Sequence, residues 1–95
     1  PYDSIRENVA KHPNVTKEHL DKLAKDKEIS VRRSVAKYSP HKNHLDKLVK
    51  SKDKSIKWYL MDNPNAHKSH LEHLTNDDDK EVREKAHHIL NSRFG

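Results

Sequence analysis

Val31-Arg32-Arg33-Ser34-Val35-Ala36-Lys37-Tyr38-Ser39-Pro40 reads as a short amphipathic helix with a proline stop. It opens on an apolar residue followed by a base, and a second apolar residue stands four positions on. The opening pair recurs at Ile5-Arg6, Ile56-Lys57 and Val82-Arg83, in steps of 26, 25 and 26 residues. The second apolar position is Val9, Val35, Leu60 and Ala86, and further stops stand at His12-Pro13 and Asn63-Pro64. Residues four apart share one face of a helix. The residue before a proline is pushed out of helical geometry. A fixed period carried by apolar positions marks a repeat architecture.

Between stops lie His19-Leu20-Asp21-Lys22-Leu23-Ala24, His44-Leu45-Asp46-Lys47-Leu48-Val49 and His70-Leu71-Glu72-His73-Leu74-Thr75. Leucines three apart predict one buried stripe per copy. Asn14 or Thr16 suits the cap of the first of these helices, and Glu18 complements its N-terminal dipole. The last copy departs from the pattern: His87-His88-Ile89-Leu90-Asn91 stands where a stop is due. That predicts a longer terminal helix covering the end of the stack, as terminal repeats commonly do. The expected fold is all-α, a solenoid of about three two-helix repeats of 25–26 residues in one domain, 1–95. Its parts are a half repeat at 1–8, repeats at 9–34, 35–59 and 60–85, and a C-terminal cap at 86–95. Starting on half a repeat, the chain reads as a fragment of a longer array.

Only 31% of residues are hydrophobic and 37% are charged, close to the disorder boundary. The apolar residues sit at fixed repeat positions, and a repeat needs only its neighbours to bury them. The chain is therefore expected to fold. Without cysteine there is no disulfide and no thiolate metal site. No apolar run is long enough for a membrane span or signal peptide, so a cytoplasmic protein is expected. Charge is uneven. Seven bases against four acids give residues 9–34 a net +3, seven against two give 35–59 a net +5, and four against seven give 60–85 a net −3. A basic middle beside an acidic end can steer an anionic partner.

Leu20-x-x-Leu23-Ala24-x-Asp26-x-x-x-x-Val31-Arg32-x-x-Val35-Ala36 resembles the leucine-rich repeat variant family. So does Leu71-x-x-Leu74 through Val82-Arg83, preceded by Asn63-Pro64. The resemblance covers nearly the whole chain. It implies a right-handed superhelix of alternating α- and 3-10 helices, akin to HEAT-type solenoids, and says nothing about activity. Tyr38-Ser39-Pro40 and His12-Pro13 depart from the family's Asn-Pro. The cysteine-bound iron–sulfur cluster known beside such repeats has no counterpart here.

Arg6, Arg32, Lys57 and Arg83 form a basic ladder. Glu28, Asp53 and Asp79 sit four residues before the last three, an orientation that stabilises a helix by about 0.2–0.5 kcal/mol per pair. Such pairs account for the ladder without a ligand. His41, His44, His67 and His70 repeat an i, i+3 spacing and would suit zinc or nickel if the faces stack. The recurrence of His-Leu at His19, His44 and His70 reads instead as a polar rim position, and no metal is assigned. The serines lie in no nucleophile elbow, no HExxH motif appears, and a single glycine gives no phosphate loop. No catalytic residue and no cofactor are assigned. Asp77-Asp78-Asp79 reads as a helix cap.

Trp58 and Tyr59 stand where other copies carry Arg33 and Ser34 or Glu84 and Lys85, turned away from Ile56 and Leu60. With Lys52, Lys54 and Lys57 around them in sequence, they are the expected partner-binding residues. The expected function is a non-enzymatic macromolecular interaction or scaffold module with a protein partner. The alternative is nucleic-acid backbone binding through the basic middle repeat. No membrane contact and no small-molecule substrate are expected.

Overall fold

The computed structural model describes residues 2–12 and 14–95. Pro1, which opens the half repeat, and Pro13, read as the stop of its helix, lie outside them. Among the described residues the chain forms seven α-helices and no strand: α1 Tyr2–Lys11, α2 Lys17–Leu23, α3 Ile29–Tyr38, α4 Lys42–Leu48, α5 Lys54–Asp62, α6 Lys68–Leu74 and α7 Lys80–Phe94.

Helix starts follow local chemistry. Thr16 caps α2 by accepting the His19 N–H at 3.2 Å. Asp53 caps α5 from the Ser55 and Ile56 N–H groups at 2.8 and 3.2 Å. Asp79 caps α7 from the Val82 N–H at 3.1 Å. These oxygens satisfy donors that the first helical turn leaves unpaired. The stops are built alike. A side chain accepts the N–H of the residue two positions on: His12 Nδ1 from Asn14 at 3.1 Å, Ser39 Oγ from His41 at 3.2 Å, and Asn63 Oδ1 from Asn65 at 2.8 Å. Histidine and serine thus do the turn work of asparagine.

The 3-10 alternation implied by the family resemblance is corrected. Helices α2, α4 and α6 are seven-residue α-helices. Two turns suffice for i to i−4 bonds such as Val49 N to Leu45 O at 2.9 Å. Tightened i to i−3 bonds appear where these helices end, as from Ser51 N to Leu48 O at 3.0 Å.

Helix α1 packs on α3, α3 on α5 and α5 on α7, while α2, α4 and α6 lie against α3, α5 and α7. The body is 37 Å long and 17 Å across its thinnest direction. The core fills the space between long and short helices. Leu20, Leu45, Leu71 and Leu74 come from the short helices, and Val31, Val35, Ile56, Leu60, Met61, Val82 and Ala86 from the long ones, all nearly water-free. Ile5 and Val9, which share one helix face, are 59% and 37% exposed. The residues in their register, Val31 with Ile56 and Val35 with Leu60, are buried.

The terminal helix shows how one polar tie is kept by another residue. Buried Asn63 donates from Nδ2 to the carbonyls of Ala36 and Ser39, at 2.9 and 2.8 Å, at the end of α3. Twenty-six residues on from Asn63 stands Ile89, which has no such donor. Arg93 of α7 donates instead to the carbonyls of Met61 and Asn63, at 3.3 and 3.1 Å. Met61 and Asn63 correspond to Ala36 and Ser39, so the same two acceptors are satisfied by a longer side chain. Ile89 and Leu90 of the same segment pack against the core.

Asn63→Ala should lower stability by about 1–3 kcal/mol in urea unfolding, because it strands buried acceptors. An unchanged unfolding midpoint would contradict the assigned role.

Candidate functional site

The basic ladder does not point outward. Arg6 pairs with Asp26 through two bonds of 2.6 and 3.2 Å. Lys57 pairs with Asp77 at 2.7 Å, and both side chains are close to a tenth exposed. The guanidinium of Arg32 donates to the Asp26 carbonyl. Arg83 donates to the carbonyls of Asp77 and Asp78 at 2.7 and 3.0 Å. Each base is thus spent on a turn after a short helix. Asp26 and Asp77 also accept the N–H two residues on, from Glu28 and Asp79 at 2.9 and 3.0 Å. One carboxylate therefore holds both the turn and the base. Ser51 keeps the turn bond at 3.1 Å, to Asp53, but brings no charge.

The i, i+4 pairs expected for the ladder do not form. Asp53 and Asp79 turn toward the N–H groups of the helices they cap. The Ser55 hydroxyl, with the Ile56 and Ser55 N–H groups, holds the Asp53 carboxyl below its ordinary value of 3.8. The Glu28 N–H, and then Arg6, do the same for Asp26. Burial alone would raise Asp77, but Lys57 and the Asp79 N–H outweigh it and the net direction is down.

The histidines form a second set of ties. His44 is buried, with Nδ1 on Ser39 Oγ at 2.7 Å and Nε2 on Asp21 of α2. His70 is buried in the same way. Its Nδ1 accepts the His67 N–H at 2.9 Å, and its Nε2 meets Asp46 of α4 at 2.7 Å. A backbone N–H only donates, so Nδ1 of His70 carries the lone pair and Nε2 carries the proton. The histidine hydrogen bonds are the largest cause holding Asp21 and Asp46 below their ordinary value. His41 and His67 stack edge-on against their neighbours at 5.3 and 5.5 Å. With both nitrogens of His44 and His70 engaged, the four rings do not assemble as a metal site. No group of three or more His, Asp or Glu among the described residues could hold a metal ion.

Trp58 and Tyr59 lie on the outward side of the long helices, half-buried at the edge of the core. Lys85 stands 4.2 Å and Lys54 5.8 Å from the Trp58 ring. Lys37 lies 5.5 Å from the Tyr38 ring and 5.7 Å from the Tyr59 ring. Two grooves meet at Tyr59. One runs across α1 and α3, with Lys11, Arg33, Lys37 and Tyr38 in its walls. The other lies between α5 and α7, with Lys54, Trp58 and Glu81. Of the five expected partner-binding residues, Trp58, Tyr59 and Lys54 share this face. Lys52 and Lys57 line a second cleft with Asp77 and Asp79, which Lys54 also borders. The sequence reading missed Lys11, Arg33, Lys37, Tyr38 and Lys85. The repeat register held the clue, since Arg33 and Trp58 are equivalent positions.

Compared with family models, curated proteins and solved structures, the chain shows no match. Among the described residues no helix is long and apolar enough to cross a membrane.

Asp21, Asp26, Asp46, Asp53, Asp77 and Asp79 all sit below the ordinary value of 3.8. A carboxylate depressed by folding stabilises the protein above its unfolded value, and that contribution is lost as pH falls through the folded one. The urea midpoint should therefore drop below about pH 4. Asp77→Asn should weaken that acid dependence. A midpoint that is level from pH 4 to pH 2 would contradict the assignment.

Proposed function

We propose that this chain is a non-enzymatic interaction module, a scaffold built as a right-handed α-solenoid of two-helix units. The units are those read from the period, and the leucine-rich repeat variant resemblance belongs to this reading. Two features support the architecture. Long helices pack in series, α1 on α3, α3 on α5 and α5 on α7. Equivalent carbonyl pairs are tied by Asn63 in one unit and Arg93 in the next.

The observation that carries the function is the placement of Trp58 and Tyr59. They occupy outward positions that neighbouring helices fill with polar residues, and cations stand over both rings. A half-buried aromatic keeps part of its surface for a partner, and Trp and Tyr dominate contact energetics in protein interfaces. A nucleic-acid backbone is the competing partner. The net +5 of residues 35–59 favours it less than expected, because Lys57 is taken up by Asp77.

A random peptide library selected on the purified chain tests the reading. Recovered binders should lose at least about tenfold in affinity for Trp58→Ala, a cost typical of an interface anchor. The variant should keep nearly its full stability. Binders indifferent to Trp58→Ala would overturn the reading. So would a stability loss of about 3 kcal/mol or more, which marks a core aromatic.

A further inference from the structure

The outward face is divided at Tyr59, and its two halves differ in charge. On the α1–α3 side, Lys11, Arg33 and Lys37 share a groove with one acid, Glu7. Among the described residues none of these three bases forms an ion pair with a carboxylate. Arg33 is held by Ser55 Oγ at 2.7 Å, a hydroxyl that also donates to Asp53, and Lys37 rests against two tyrosine rings. On the α5–α7 side the cations are matched. Lys54 pairs with Glu81 at 2.8 Å and Asp79 at 3.5 Å, and Lys85 pairs with Asp62 at 2.9 Å. That side offers ring surface in place of free charge, with Trp58 and Tyr59 in the walls of its groove.

We infer that this face receives an acidic peptide segment with one apolar anchor. Its carboxylates meet Lys11, Arg33 and Lys37, and the anchor enters the groove between Tyr59 and Trp58. The inference rests on the reading of this face as the contact surface and adds the chemistry of its partner. Lys11 and Lys37 hold equivalent places on adjacent helices, 26 residues apart in the chain. Packed helices stand roughly 8–10 Å apart, so two cations address one extended segment. The ring contacts limit the freedom of the Lys37 side chain, which lowers the entropy lost when it meets a carboxylate. A phosphate backbone fits less well. It needs a continuous positive track, and here Asp62 and Glu81 close the track beyond Tyr59. A short anionic stretch that ends in an apolar side chain matches both halves.

The test is fluorescence anisotropy on the full chain with three labelled probes. They are a peptide of glutamates around a single leucine, its lysine counterpart, and a thymidine oligonucleotide of similar length. The acidic peptide should bind, and more weakly as salt rises. Lys37→Glu and, separately, Lys11→Glu should each weaken it by about tenfold or more while circular dichroism stays unchanged. Two variants on different helices guard against one that misfolds. Equal binding of the lysine peptide would overturn the inference on charge. Tighter binding of the oligonucleotide, with the same dependence on Lys37, would overturn the peptide and leave the surface standing. Failure of all three probes would also overturn the inference. The contact surface itself would then be judged by whether library-selected binders depend on Trp58.

Discussion

A helix of seven residues does not hold itself together in water, since nucleation costs more than two turns return. Among the described residues, α2, α4 and α6 have that length. Each is held by what it lies against. Leu45 and Leu48 of α4 are buried with α5 alongside, and Leu71 and Leu74 of α6 with α7 alongside. Burying one leucine contributes about 1.5–3 kcal/mol, and each short helix buries two of them against its neighbours. Everything else follows from this dependence. The long helices must keep one apolar face fixed, the turns must be tight, and the outward face is left free to vary.

Leucine packing alone leaves the rotation of one helix against the next loosely determined. The polar ties restrict it. Asp21 reaches His44 and Asp46 reaches His70, linking α2 to α4 and α4 to α6. Arg6 with Asp26 and Lys57 with Asp77 link long helices to turns some twenty residues on. Asn63 ties the end of α3 to the stop after α5. A buried polar group without a partner is costly. A rotation that broke one of these ties would strand its members, so each tie selects one arrangement among many that the leucines would allow.

The helices were legible because two patterns with different periods coincide. Apolar residues three and four apart set each face, and a step of 25 or 26 residues repeated it. The ties were not legible, because each partner sits in another copy. His44 looked like a rim histidine, and nothing near it in sequence shows that Asp21, 23 residues back, is its acceptor. The ladder bases had acids four residues before them, a local explanation that capping overrides at Asp53 and Asp79. Trp58 and Tyr59 could be placed on the outward face from helical phase alone. Lys52 and Lys57 could not be set apart from Trp58 that way, because their cleft is closed by Asp77 and Asp79 from the turn before α7, and Lys54 borders both that cleft and the Trp58 groove. Lys37 was missed because its rings come from its own helix and from α5, and only packing brings Tyr59 beside it.

The central claim is that the short helices stand only as part of the packed whole. Native-state hydrogen exchange measures this at single amides. The N–H groups of Ala24, Val49 and Thr75 bond to Leu20, Leu45 and Leu71 at 2.9, 2.9 and 3.1 Å. The Val49 and Thr75 amides should open with the same free energy as amides in the middle of α3 and α5. All should fall together when Leu60→Ala weakens the core between them. Exchange of Val49 and Thr75 at the rate of an unstructured peptide, with α3 and α5 still protected, would contradict the account.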